Sequence, residues 1–175
     1  LGEVEPAVPP LPPSTASRNS AERDLAYGLL RDLLALEGHH LNALERGTHG
    51  RLCWPAEGRL WVSIAHCEGY AAAGLSTAGP IGIDIEAIAS PGAGVVQTIL
   101  LPGERYLATD ADSFTRLFVR KEALGKAMGL GLAAAVLATA VDGSMACPAD
   151  GERYRLQDIG APPGHRAALA FSARP

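Results

Sequence analysis

Apolar residues recur at helical spacing in two stretches of this chain and alternate at strand spacing in several others. After a Pro-containing opening, Leu25, Leu29, Leu33 and Leu36 mark one helical stripe, with Gly38 beyond its end. Asn19 or Ser20 can cap that helix, and Glu22 stands three residues after Asn19, as in a capping box. Residues 41–58 show no period. RLWVSIAH then alternates: Leu60, Val62 and Ile64 point one way, Trp61, Ser63 and Ala65 the other. EGYAAAGLS reads as its hairpin partner, although alanines are poor strand formers. IGIDIEAI follows as a third strand, and the three predict an antiparallel meander. Residues 89–103 read as a connection, Glu104 to Leu107 as a short helical piece. A second long helix spans about 113–128, stopped by Gly129 or Gly131. LAAAVLATAV, RYRLQDI and RAALAFS predict further strands.

The order helix, strands, helix, strands predicts an α+β fold of two pseudo-symmetric halves. Each half would be a long helix packed on a small, mainly antiparallel sheet. Residues 1–19 read as a Pro-rich linker or extended arm. Residues 20–175 read as the folded domain, with halves near 20–88 and 89–175. No sequence repeat links the halves, so their symmetry rests on element order alone.

Composition narrows the class. The 175 residues suit one domain, and 47% hydrophobic with 19% charged content is that of a soluble globular chain. A net charge of -4 argues against a general nucleic-acid binder but leaves room for a small anionic ligand at a local arginine cluster. No apolar run approaches the roughly 20 residues that span a bilayer. No basic-then-apolar leader opens the sequence. Cys53, Cys67 and Cys147 are odd in number and form no CxxC, which predicts free thiols in a reducing cytoplasm. His39, His40, His49 and His165 lack metal-ligand spacing and read as surface or structural.

Two stretches carry chemistry. In IGIDIE, Ile81, Ile83 and Ile85 share one face, while Gly82, Asp84 and Glu86 share the other. This is either an ordinary strand with one wet face, or a pair of carboxylates about 7 Å apart at the backbone that lean toward one hard cation such as Mg²⁺. Gly82 would leave room for a ligand to approach the backbone. In FVRKEALGK stand Lys121 and Lys126, the only lysines of the chain. Phe114, Leu117, Leu124 and Met128 form an apolar stripe with Lys121 in its middle. Glu122 and Lys126 are i, i+4 neighbours, as in a surface ion pair. That pairing does not explain a lysine inside an apolar stripe. It also does not explain why arginine is used everywhere else. Lysine is a compact charge whose pKa can fall, so it can donate a proton. Arg116 and Arg120 read as facing water.

GPIGIDIE followed by FVRKEALGKAMGLGL resembles the two signature stretches of the 4′-phosphopantetheinyl transferases, G-[IV]-D-[IV]-E and W-x-x-K-E-A-x-x-K. Ser63-Ile64-Ala65-His66 resembles the family's S-x-S-H, and Gly50-Arg51-Leu52 its G-K/R-P turn. The helix from Arg23 to Arg31 resembles the family's upstream helix, and RAALAFS its closing strand. About eighty residues precede IGIDIE. The arrangement is therefore similar to the larger Sfp-type members, in which one chain supplies two halves with the cofactor between them. Phe118, Leu52 and Ala65 stand where the family usually has Trp, Pro and a hydroxyl residue.

The resemblance implies transfer of phosphopantetheine from coenzyme A to a serine of an apo acyl or peptidyl carrier protein. It implies Mg²⁺, or Mn²⁺, on Asp84, Glu86 and Glu122. Glu122 would be the base, Lys126 would meet the leaving oxygen, and Asp84 would be needed for catalysis. Lys121 and Lys126 would contact coenzyme A phosphates, and Arg23, Arg51, Ser63 and His66 would line its nucleotide. Arg116 and Arg120 would dock the acidic helix of the carrier. Two other classes stay open: a non-catalytic module that binds coenzyme A or carrier, and a Mg-dependent pyrophosphate hydrolase.

Overall fold

A computed structural model of the chain describes residues 15–41, 44–46, 52–53, 60–92 and 94–173. The first half runs α1 (Thr15–Leu36), β1 (Glu45–Arg46), β2 (Leu52–Cys53), β3 (Trp61–Cys67) and β4 (Tyr70–Ser76). The second runs β5 (Ile81–Ala87), α2 (Val95–Ile99), α3 (Pro102–Arg105), α4 (Ala111–Met128) and α5 (Ala134–Leu137), then β6 (Met145–Ala146), β7 (Tyr154–Ile159) and β8 (His165–Ser172). The fold is α+β, with two antiparallel sheets ordered β1-β2-β3-β4 and β5-β8-β7-β6.

The meander expected of the first three long strands does not form. β5 pairs with β8, Asp84 opposite Ala168, and belongs to the second sheet. Residues 77–80 therefore connect the last strand of one sheet to the first strand of the other. Alternation fixes which side each residue takes but not which strand lies beside it. β3 instead meets the free edge of β5 with side chains. The Ile83 N–H donates to Ser63 Oγ at 3.0 Å, and the Ala87 N–H donates to Cys67 Sγ at 3.3 Å. An edge that would otherwise leave buried donors unpaired is thereby satisfied.

The first helix also differs from its expected form. It begins at Thr15, so residues 15–19 belong to α1 rather than to an arm, and Asn19 and Ser20 lie inside it. Its buried row is Glu22, Ala26, Leu30 and Leu34, whereas Leu25, Leu29 and Leu36 are exposed. The helix carries two leucine-bearing rows. The small Ala26 and charged Glu22 disguised the one that packs on β3 and β4. LAAAVLATAV, expected as a strand, contains α5 instead, in keeping with the helical preference of alanine.

The second long helix matches expectation closely. Asp110 caps it by accepting from the Ser113 N–H at 2.8 Å, and Gly129, with φ 71, ends it. It lies directly on β5 and β8, over Gly82, Ala168 and Ala170. A Cβ on Gly82 would collide with the Ala123 carbonyl oxygen and the Ala127 nitrogen. Gly82 therefore admits the α4 backbone, not a ligand. This contact sets the height at which α4 side chains meet the acidic strand.

Candidate active site

Gly82, Asp84 and Glu86 alternate onto one face of β5; Gly82 and Asp84 meet α4, while Glu86 also meets Cys67 of β3. Lys126 donates to Asp84 Oδ1 at 2.7 Å, to the Ile83 carbonyl at 3.0 Å and to the Ile64 carbonyl of β3 at 3.3 Å. One ammonium thus ties the helix to both sheets. Its side chain remains 29% exposed, while that of Asp84 is only 5% exposed. Burial pushes the Asp84 carboxyl up to about 7 despite the opposing pull of Lys126, with Glu122 and Glu86 adding to the rise. Burial likewise holds the Glu122 carboxyl above its ordinary value; Lys126 opposes this and Glu86 adds to it.

Asp84, Glu86, Glu122 and Lys126 are therefore one electrostatic cluster. Asp84 Oδ2 is buried with no hydrogen-bond partner. A leftover carboxylate oxygen among mutually repelling carboxylates suits a hard divalent cation. Among the described residues, no three His, Cys, Asp or Glu side chains stand converged on one point. The donors fit such an ion in kind, and side-chain rotation would have to bring them together. Cys67 donates its S–H to Glu86 Oε2 at 3.4 Å. Burial, reinforced by Glu86 and Glu68, pushes its thiol up to about 12, so Cys67 is an inert partner that holds Glu86.

The 4′-phosphopantetheinyl transferase superfamily is the family whose model matches residues 80–173, just over half of the chain. The chain belongs to that superfamily. Its members are transferases of phosphopantetheine, and the matched span contains β5, α4 and β8. No curated protein matches the chain.

The remaining expected site residues of this transferase fall into three groups. His66, next to last in β3, lies on the α1 side of the sheet, where its Nδ1 is 3.4 Å from Glu22 Oε2 and a third of its side chain is exposed. Arg23 is exposed on α1. Arg51 lies outside the described residues. Ser63 does not reach a cleft: it is buried, and its hydroxyl is taken by the Ile83 N–H.

Lys121 does not reach a cleft either. Its side chain is 0% exposed and pairs with Glu104 at 3.0 Å, and its ammonium also donates to the Leu137 and Thr139 carbonyls. Burial pulls its pKa below the usual lysine value, with Glu104 opposing. A phosphate has no access to it, so the expected coenzyme A contact does not fit this placement. Arg120, expected to face water, is also buried. It pairs with Asp158 and donates to the carbonyls of Val141, Asp142 and Gly143. Arg116 alone of that pair stays half-exposed, 3.7 Å from Asp158.

Sequence reasoning missed Glu104 and Glu22. Both are charged residues on short or ambiguous helical segments. For Glu22 the signal available was its i, i+4, i+8 spacing to Ala26 and Leu30.

Proposed function

We propose that this protein transfers the phosphopantetheine arm of coenzyme A to a serine of an apo acyl or peptidyl carrier protein, as a member of the Sfp-type group. The Asp84–Lys126 pair carries this reading. It is a partly exposed lysine on a buried carboxylate with one oxygen left over, flanked by Glu86 and Glu122, on the strand and helix of the family signatures.

The serine oxygen would bond to the phosphorus that carries the pantetheine. The bond from that phosphorus to the pyrophosphate bridging oxygen would break, releasing adenosine 3′,5′-bisphosphate. Glu122 is suited to take the serine proton, because burial makes it a stronger base than an exposed carboxylate. Lys126 is suited to meet the negative charge on the leaving oxygen. Two backbone carbonyls and Asp84 hold its ammonium in place, and the leaving oxygen would take over one of these three donors. Asp84, Glu86 and Glu122 would hold Mg²⁺ or Mn²⁺, which when bound neutralises pyrophosphate charge. His66, Arg23 and Arg51 would line the nucleotide phosphates. The free thiols Cys67 and Cys147 accord with a cytosolic enzyme.

The test is to incubate the protein with Mg²⁺, coenzyme A and an apo carrier protein, then take the intact mass of the carrier. A phosphopantetheine adduct is expected with wild type and not with Asp84→Ala or Glu122→Gln. Cleavage of coenzyme A without an adduct would make the protein a hydrolase. Protection from melting by coenzyme A without chemistry would make it a binding module.

A further inference from the structure

Glu22 is a carboxylate in the wrong company. It sits in the row Glu22, Ala26, Leu30, Leu34 that packs α1 on the first sheet, and its side chain is 4% exposed. A charge placed there is costly unless it is paired. One partner is the hairpin between β3 and β4, whose turn residues Glu68 and Gly69 both have positive φ; the Gly69 N–H donates to Glu22 Oε1 at 2.7 Å. A neutral glutamine could accept that bond equally well, so the turn explains an oxygen at this point but not a charge. The second partner is His66, whose Nδ1 faces Glu22 Oε2 at 3.4 Å.

We propose that Glu22 is the positioning residue of His66: it receives the Nδ1–H and turns the other ring nitrogen toward a coenzyme A phosphate. This rests on the function proposed above. A ring whose Nδ1–H is given to Glu22 can donate from Nε2 only when both nitrogens carry protons. A phosphate on one side and a carboxylate on the other would set an acceptor against each ring nitrogen. Glu68 and Glu86 interact with Cys67, which points to the opposite face of β3, so Glu22 is the carboxylate set against the imidazole. Glu22 touches no substrate; its effect would pass entirely through His66.

The test uses Glu22→Gln, which keeps an acceptor for the Gly69 N–H and removes the charge. Its Kd for coenzyme A, by calorimetry, should rise about tenfold, the loss of one charge-assisted bond. Its kcat at saturating coenzyme A should stay within about twofold of wild type. ¹⁵N spectra of the coenzyme A complex at one fixed pH should show both His66 ring nitrogens protonated in wild type and only one in the variant. His66→Ala should weaken coenzyme A to a similar degree, and Glu22→Gln added to it should cost nothing more. Additive losses, or an unchanged ring spectrum, would overturn the proposal and leave Glu22 as a turn clamp. If wild type modifies no carrier, the proposed function falls, and the ring spectra still decide whether Glu22 sets the imidazole.

Discussion

Lys121 and Lys126 stand on the same helix, each paired with a buried carboxylate, yet the two pairs differ in completeness. Around Lys121 nothing is left over. Glu104 binds the ammonium with one oxygen and accepts from the Val141 N–H with the other, and the Leu101 N–H also donates to it. The lysine's remaining donors go to Leu137 and Thr139 carbonyls. The pair closes α3 and the segment after α5 onto α4. Around Lys126 one carboxylate oxygen is orphaned, two more carboxylates stand close, and the lysine side chain is partly exposed. A satisfied buried pair specifies structure, whereas an unsatisfied one holds a place for something else. The residue type is the same in both, so the partner set is what assigns the role.

The sharpest way to break this contrast is to remove each lysine in turn. Lys126→Ala should lower carrier modification about a hundred- to a thousandfold, as expected when a preorganised charge is lost, and should cost less stability than the Lys121 change, because Asp84 can take up a proton near neutral pH. Lys121→Met should do the reverse. Stranding Glu104 in the core should cost about 3–5 kcal/mol of stability, read by urea denaturation, with normal turnover per folded molecule. Adding Glu104→Gln should restore part of that stability. A Lys121→Met variant that stays stable but loses coenzyme A affinity would erase the distinction.

Much of this was legible beforehand. Alternation in IGIDIE put Asp84 and Glu86 on one face. The i, i+4 spacing put Glu122 beside Lys126, and a lysine in an apolar stripe flagged α4. What faces each stripe was not legible. Lys121 meets Glu104 of α3, Arg120 meets Asp158 of β7, and β5 pairs with β8. Periodicity reports a direction, and such partners depend on tertiary closure, which local sequence does not encode. Ser63 failed for the same reason, since its hydroxyl faces the bare edge of a strand from the other sheet.

The unsatisfied pair should also show itself through pH. The Asp84 carboxyl is raised to about 7, chiefly by burial. A raised folded-state pKa means that the fold prefers the neutral acid. That preference is full below about pH 4 and is lost as pH rises through about 7. Asp84→Asn should therefore be more stable than wild type at pH 8 by up to about 4 kcal/mol, with the gain vanishing near pH 4. Thermal melts in chelator, across that range, read the difference. The same variant should fail to modify a carrier. An Asp84→Asn protein no more stable at pH 8 than wild type would mean that Lys126 outweighs burial, and the pair would resemble Lys121–Glu104 after all.

The smallest expected effect carries the contrast to the arginines of α4. Arg120 is consumed by Asp158 and three carbonyls, so reversing its charge should simply unfold the loop it holds. Arg116 shares Asp158 only at 3.7 Å and keeps nearly half its side chain in water. An exposed pair of this kind contributes about 0–1 kcal/mol to stability, which leaves the charge available to an acidic carrier helix. Arg116→Glu should then raise the carrier-protein KM a few-fold, more at low salt than at high, because a rim charge acts mainly on encounter. The coenzyme A Kd and the melting temperature should stay near wild type. A carrier KM that does not move at low salt would remove Arg116 from the docking surface and restrict the α4 contribution to the Glu122 and Lys126 side.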